Sequence, residues 1–209
     1  MTDIKKEIKN TASISISGEY AVKLSLSRTH LASAALLTRY SYNLEKEFSD
    51  SEILSQRSFV TSAVILSVSS LEGMINEFFS DIRDISVRGG NDVKENYPEL
   101  YRKSNLFKYI FTEQLRIKVL DKYQIALILA NKKEFEKGSN PYQDTQCLID
   151  LRNALVHYNP SWQRIITASD YITPEKIERR LKGKFTLNPR APRGPFFPST
   201  CMISHGCAE

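Results

Sequence analysis

Apolar residues along this chain follow two kinds of spacing. Residues 13–26 alternate: Ile14 and Ile16, then Tyr20, Val22, Leu24 and Leu26, with Gly18 and Glu19 between the runs. A period of two marks a half-buried strand, so this stretch predicts a small hairpin. From residue 29 to 48 the spacing turns helical, with Leu31, Ala35, Leu36 and Leu44 on one broad face. Ser49 and Glu52 then fit a capping box, opening a long helix that runs to about residue 86. In it Val60, Val64, Val68, Leu71, Ile75, Phe78 and Ile82 recur at spacings of three and four, and Gly89-Gly90 ends it. At ~1.5 Å per residue that helix is on the order of 50 Å long. It is too long for one small core, which predicts a hairpin partner or a dimer surface.

Residues 91–111 are mixed in character, broken at Tyr97-Pro98. A second helical stripe runs over 112–130 through Leu115, Val119, Leu120, Tyr123, Leu127 and Ile128. Gly138-Ser139-Asn140-Pro141 reads as a loop, after which Asp144 caps a helix with Cys147, Leu148, Leu151 and Leu155 on its apolar face. Asn159-Pro160 closes that helix, because proline pushes the residue before it out of the helical region. Thr173-Pro174-Glu175 starts a short helix: a cap, then proline in the first position. Residues 182–198, rich in Pro, Gly and Arg, read as an extended connector.

The organisation expected is an N-terminal hairpin extension over 1–27, a helical domain over 28–182, and a connector with a tail over 183–209. The abrupt stop at Glu209 reads as truncation of that tail. The whole is mostly α with one small β element.

Composition narrows the class. The 209 residues can build one substantial core, and 41% hydrophobic with 25% charged residues is ordinary for a globular chain. Lys and Arg exceed Asp and Glu by 29 to 24, a net +5 compatible with a nucleic-acid ligand. The start, Met1 to Lys6, lacks the apolar core of a signal peptide, and no apolar run approaches the ~20 residues of a membrane span. Three cysteines form no disulfide framework. A cytoplasmic protein with reduced thiols and no membrane partner is expected. The stretch Cys201-Met202-Ile203-Ser204-His205-Gly206-Cys207 fits no zinc spacing and reads as the beginning of a helix. Phosphate-binding glycine loops, dinucleotide fingerprints, nucleophile elbows and zincin motifs are missing, so neither metal nor cofactor is expected.

The chemistry concentrates in Leu151-Arg152-Asn153-Ala154-Leu155-Val156-His157-Tyr158. On a helix Asn153 and His157 share a face, and Arg152 lies within ~140° of His157. A fixed cation, an amide and a group titrating near neutrality are the parts needed to hold and cleave a phosphodiester. His157 suits proton transfer. Arg152 suits phosphate, because its planar fork bonds two oxygens at once. Asn153 can orient a hydroxyl or the imidazole. Glu72 lies on the edge of the long helix's apolar stripe, where a carboxylate needs a partner, and Arg152 is the obvious cation. Alternatively, Arg152 and His157 only satisfy the last carbonyls of their helix, and Glu72 is an exposed flank acid. Tyr158 and Trp162 can stack on bases or pack in a core. Lys182, Lys184, Arg190 and Arg193 of the connector can track a phosphate backbone or form a solvated linker. His30 reads as a surface or core-edge histidine.

The run Arg152-Asn153-Ala154-Leu155-Val156-His157 resembles the signature of the HEPN domain family, an arginine followed by a polar residue with a histidine four to six residues later. The helix segment Ser69-Ser70-Leu71-Glu72-Gly73-Met74-Ile75-Asn76-Glu77-Phe78-Phe79 is similar to the first core helix of that family. The resemblance covers roughly residues 51–158. It implies a bundle of four to five helices that dimerises around the motif helix, lining one cleft with two copies of arginine and histidine. Many members are metal-independent endoribonucleases acting as toxins or antiviral-defence effectors; others are non-catalytic. The first expectation is therefore an RNA-cleaving homodimer, restrained by an antitoxin or regulatory protein, with Arg152, Asn153 and His157 catalytic and Glu72 and Tyr158 supporting. The second is a non-catalytic HEPN-like module binding RNA, nucleotides or protein. The third is a helical scaffold.

Overall fold

A computed structural model describes residues 23–47, 52–88, 90–110, 117–157, 176–186, 188 and 204–208. Over these residues the chain is helical, with no strand. The helices are α1 (Ser27–Glu47), α2 (Ile53–Arg88), α3 (Gly90–Asn96), α4 (Pro98–Ile110), α5 (Val119–Leu129), α6 (Tyr142–Val156) and α7 (Lys176–Leu181), with a 3-10 turn at His205–Cys207. Seven helices stand where four to five were expected, although α3 and α7 have only 7 and 6 residues. The expected hairpin lies outside the described residues except for 23–26, which lead into α1 without strand pairing. Ser49 and Thr173-Pro174-Glu175 also lie outside them.

The α1–α2 pair is an antiparallel hairpin with an unusual seam. α1 buries Ser27, Ala34 and Ser41 at 2%, 2% and 0% exposure; α2 buries Gln56, Ala63 and Ser70 at 1%, 0% and 2%. Both sets repeat every seven residues, as needed to keep one face against a partner helix. Small side chains let the two backbones close up. A Cβ placed on Gly73 would meet the Ser27 Cβ at 3.1 Å. The polar atoms are paired: Ser70 Oγ donates to the Ser27 carbonyl at 2.8 Å, and Gln56 Nε2 to Glu45 Oε1 at 2.8 Å. At the start of α1, Ser27 donates to Glu77 from its hydroxyl at 2.6 Å and its amide at 3.2 Å. The carboxylate thus sits where the helix dipole favours negative charge.

This seam corrects the expected face of α1. Leu31 and Leu36, on the broad face that the spacing predicts, are each 49% exposed. The helix turns its serine and alanine stripe to α2 instead.

α2 is the shared core helix. Val60 and Val64 pack with Cys147, Leu151, Leu181 and Cys207. Further along, Val68 meets Leu120 and Ile149, and Ile75 and Phe79 are covered by α5. Phe78 is the exception in the expected stripe, at 41% exposure. Over Ile53–Ile85 the helix is long and apolar enough to cross a membrane by length and composition, with mean hydropathy 1.5. Of that apolar window 33% is buried inside the protein, and Val60, Val64 and Val68 of the helix are fully enclosed.

Other boundaries differ from expectation. The stretch over 91–111 is two helices divided at Tyr97. α5 starts at Val119 because Lys118 is extended (φ −63°, ψ 149°). It ends in a Schellman turn: Asn131, at φ 53°, takes the left-handed position, and the Lys132 amide bonds the Leu127 carbonyl at 2.8 Å. Gln124 then clamps Phe135 in both directions, amide to carbonyl at 2.7 Å and 2.9 Å, fixing the loop that leads to α6.

Candidate functional site

α6 is held along two sides. Cys147 and Leu151 enter the cluster with Val60, Val64, Leu181 and Cys207, while Ile149 packs the other way against Val68 and Leu120. The remaining strip is what solvent sees. Asp144 lies in the first turn rather than at the cap, which is Pro141, and its carboxylate accepts from Lys184 Nζ at 2.8 Å. The helix ends at His157, whose backbone (φ −107°, ψ 42°) leaves the helical region while its amide still bonds the Asn153 carbonyl at 2.9 Å.

Arg152 points toward α2 and donates through Nη2 to Glu72. Its side chain is 19% exposed and that of Glu72 38%. Arg152 Nε is buried and has no hydrogen-bond partner among the described residues. One turn along α2, Asn76 accepts from Lys122 Nζ at 2.7 Å, and Tyr123 of α5 donates to the Leu71 carbonyl at 2.9 Å. Burial raises the Tyr123 phenol above its ordinary value of 10.0, so it remains a neutral donor. The arginine therefore enters a polar seam where α2, α5 and α6 meet.

Asn153 and His157 are exposed, four residues apart on the open face of α6, with Val156 between them at 49% exposure. No side-chain hydrogen bond joins Arg152, Asn153 and His157. Helical geometry separates Arg152 from His157 by about 140°, so the guanidinium turns inward and the imidazole outward. Within one protomer the three groups form two neighbouring surfaces, not one convergent triad.

Of the other expected residues, Lys182 is exposed. Lys184 is engaged by Asp144, whose hydrogen bond raises the lysine above 10.5. Tyr158, Trp162, Arg190 and Arg193 lie outside the described residues.

Two polar clusters were not anticipated. Arg180 pairs with Asp150 and reaches Cys147 Sγ at 3.7 Å, tying α7 to α6. Glu45, with 5% of its side chain exposed, accepts from the His205 amide at 2.7 Å and lies 2.6 Å from His205 Nδ1. The edge of the Tyr42 ring meets His205 with centroids 4.8 Å apart. This cluster docks the 3-10 turn onto α1 and α2. Burial, with Glu45 nearby, pushes the Cys207 thiol up to about 12, far from the range of a reactive thiolate. Among the described residues no cluster of His, Cys, Asp and Glu could hold a metal ion.

Compared with known proteins, the chain matches no family model, no curated protein and no solved structure. Fold and chemistry alone bear on its function.

Proposed function

We propose that this protein is a metal-independent endoribonuclease of the HEPN type, acting as a toxin or antiviral-defence effector in the cytoplasm. The observation that carries the reading is an exposed Asn153–His157 pair at the end of α6, on the same helix end as a guanidinium positioned by Glu72. RNA supplies its own nucleophile. Its 2′-hydroxyl loses a proton and bonds the adjacent phosphorus, the P–O5′ bond breaks, and the 5′-oxygen takes up a proton. The products are a 2′,3′-cyclic phosphate and a 5′-hydroxyl. One motif imidazole cannot be base and acid in the same step, so two protomers share the site. Arg152 stabilises charge on the phosphoryl oxygens, and Asn153 orients the sugar hydroxyl.

A second reading, a non-catalytic HEPN-like module for RNA, nucleotides or a protein partner, is favoured by one observation. Glu72 already neutralises Arg152 within the protomer, where the arginine side chain is only 19% exposed. Purified protein and its Arg152→Ala and His157→Ala variants, incubated with structured RNA, separate the two. Under the first reading each variant loses about 10²–10⁴ in cleavage rate with helix content and dimer mass unchanged. Wild-type protein that leaves RNA intact but binds it, with binding falling in Arg152→Ala alone, establishes the second.

A further inference from the structure

The exposed apolar side of α1 is one wall of a groove. α1 contributes Leu31, α2 forms the floor with Leu71, α6 forms the opposite wall with Leu148, and Ala208 of the tail closes one end. The cavity measures about 760 Å³, within the ~300–1,000 Å³ of small-molecule sites. Its origin is the seam described above. Because α1 gives its serine and alanine stripe to α2, its larger apolar residues are left facing open space.

The polar content of the groove is specific. Arg39 is the single charged residue lining it among the described residues, and it has no carboxylate partner there. Among the described residues no acid in the wall offsets it. Ser67 on the floor differs from Ser58 and Ser69, whose hydroxyls bond the carbonyl four residues back at 2.7 Å and 2.9 Å. Ser67 makes no such bond and keeps its hydroxyl available. A mainly apolar groove lined by one fork-shaped cation without a carboxylate partner complements a molecule with an aliphatic body and one carboxylate head.

We propose that this groove binds a medium- or long-chain aliphatic carboxylate, its chain lying between α1 and α6 and its head on Arg39. The proposal is independent of the ribonuclease reading, since none of the motif residues lines the groove.

Displacement of a fluorescent dansylated undecanoic acid from the full chain, below micellar concentrations, tests it. The competitors are straight-chain acids of eight, ten and twelve carbons and the matching alcohols. The acids should bind at one equivalent and gain up to about fourfold in affinity per buried methylene. Each acid should bind about fivefold more tightly than its alcohol, the upper range for an exposed ion pair. Arg39→Gln should erase that preference and leave alcohol affinity unchanged. Ala35→Trp, at an exposed position on the groove wall, should weaken acid and alcohol at least tenfold with an unchanged circular dichroism spectrum. His157→Ala should bind as wild type does. The proposal is overturned by absence of saturable one-to-one binding, by an acid-over-alcohol preference that survives Arg39→Gln, or by full affinity in Ala35→Trp.

Discussion

Removing one partner of the Arg152–Glu72 pair should have a cost that depends on which partner is removed. An exposed ion pair contributes about 0–1 kcal/mol, whereas stripping one partner from a buried pair costs about 3–5 kcal/mol. Here the side chains are 19% and 38% exposed, so the expected cost lies between these limits. Glu72→Gln leaves a mostly buried guanidinium facing a neutral amide, with Arg152 Nε already unpartnered. We expect about 2 kcal/mol of destabilisation. Arg152→Met leaves a carboxylate that water can reach, and the methionine stem keeps the packing of the arginine methylenes. About 1 kcal/mol is expected there.

The double variant removes both charges, and with them the orphaned cation. It should cost about 2 kcal/mol rather than the additive 3, a coupling of about 1 kcal/mol. Urea melts resolve this. At a slope of about 2.5 kcal/mol/M, Glu72→Gln moves the midpoint by roughly 0.8 M with the slope unchanged. Additivity within about 0.5 kcal/mol would refute the pairing argument, as would an Arg152→Met variant less stable than Glu72→Gln. Under the ribonuclease reading the same proteins divide differently in a cleavage assay. Arg152→Met is inactive, while Glu72→Gln, with a loosened guanidinium, retains activity reduced by about 10–100-fold.

Three further outcomes are expected. The Glu77 carboxyl is held at about 2, against its ordinary 4.5, chiefly by the Ser27 hydroxyl. Its stabilising contribution is therefore full above about pH 4.5 and is lost as pH falls toward 2. The stability gap between wild type and Glu77→Gln should close over that window, and a gap independent of pH would contradict the assignment. Gly73→Ala would ordinarily add up to about 1 kcal/mol of helix stability. The new methyl would meet the Ser27 Cβ at 3.1 Å and needs Ser27 to yield by a few tenths of an ångström; with Ser27 held by Glu77 and Ser70, the variant should melt below wild type in a calorimetric scan. Raising the Cys207 thiol from 9.0 to about 12 lowers its thiolate fraction near neutrality by about a thousandfold. Native iodoacetamide labelling followed by peptide mapping should find Cys207 protected until the chain unfolds.

Much of the fold was legible because apolar spacing in α2 and α6 reports true burial. Val60, Val64, Val68 and Ile75 are the most enclosed large apolar side chains of α2, and the same periodicity marked them. α1 was misread for a definite reason. Periodicity arguments weigh apolar size, whereas a close helix–helix contact selects for smallness. Ser27, Ala34 and Ser41 carry no hydrophobic signal, yet they repeat every seven residues in step with Gln56, Ala63 and Ser70. The available sign was a heptad of small residues in α1 facing one in α2 where only Gln56 is large. Tertiary satisfaction of buried serines and a glutamine then makes the polar face the inner one.

The site divides along a similar line. Pairing of Arg152 with Glu72 followed from charge cost: a carboxylate on the flank of an apolar stripe needs a cation, and the motif offered one 80 positions away in sequence. The Glu45–His205 cluster could not be found that way, because its partners stand 160 positions apart and neither sits in an amphipathic pattern. It forms because the tail returns to α1, and only the three-dimensional path of the chain shows that return. The consequence reaches the proposed catalytic end. The turn that carries His205 also places Cys207 in the cluster with Leu151, the residue immediately before Arg152. Glu45 thus fixes the tail, the tail packs one side of α6, and Glu72 fixes the other side through Arg152. These two braces fix the helix from whose end the exposed His157 projects. Under the ribonuclease reading, proton transfer to the RNA depends on where that helix end stands as much as on the imidazole itself.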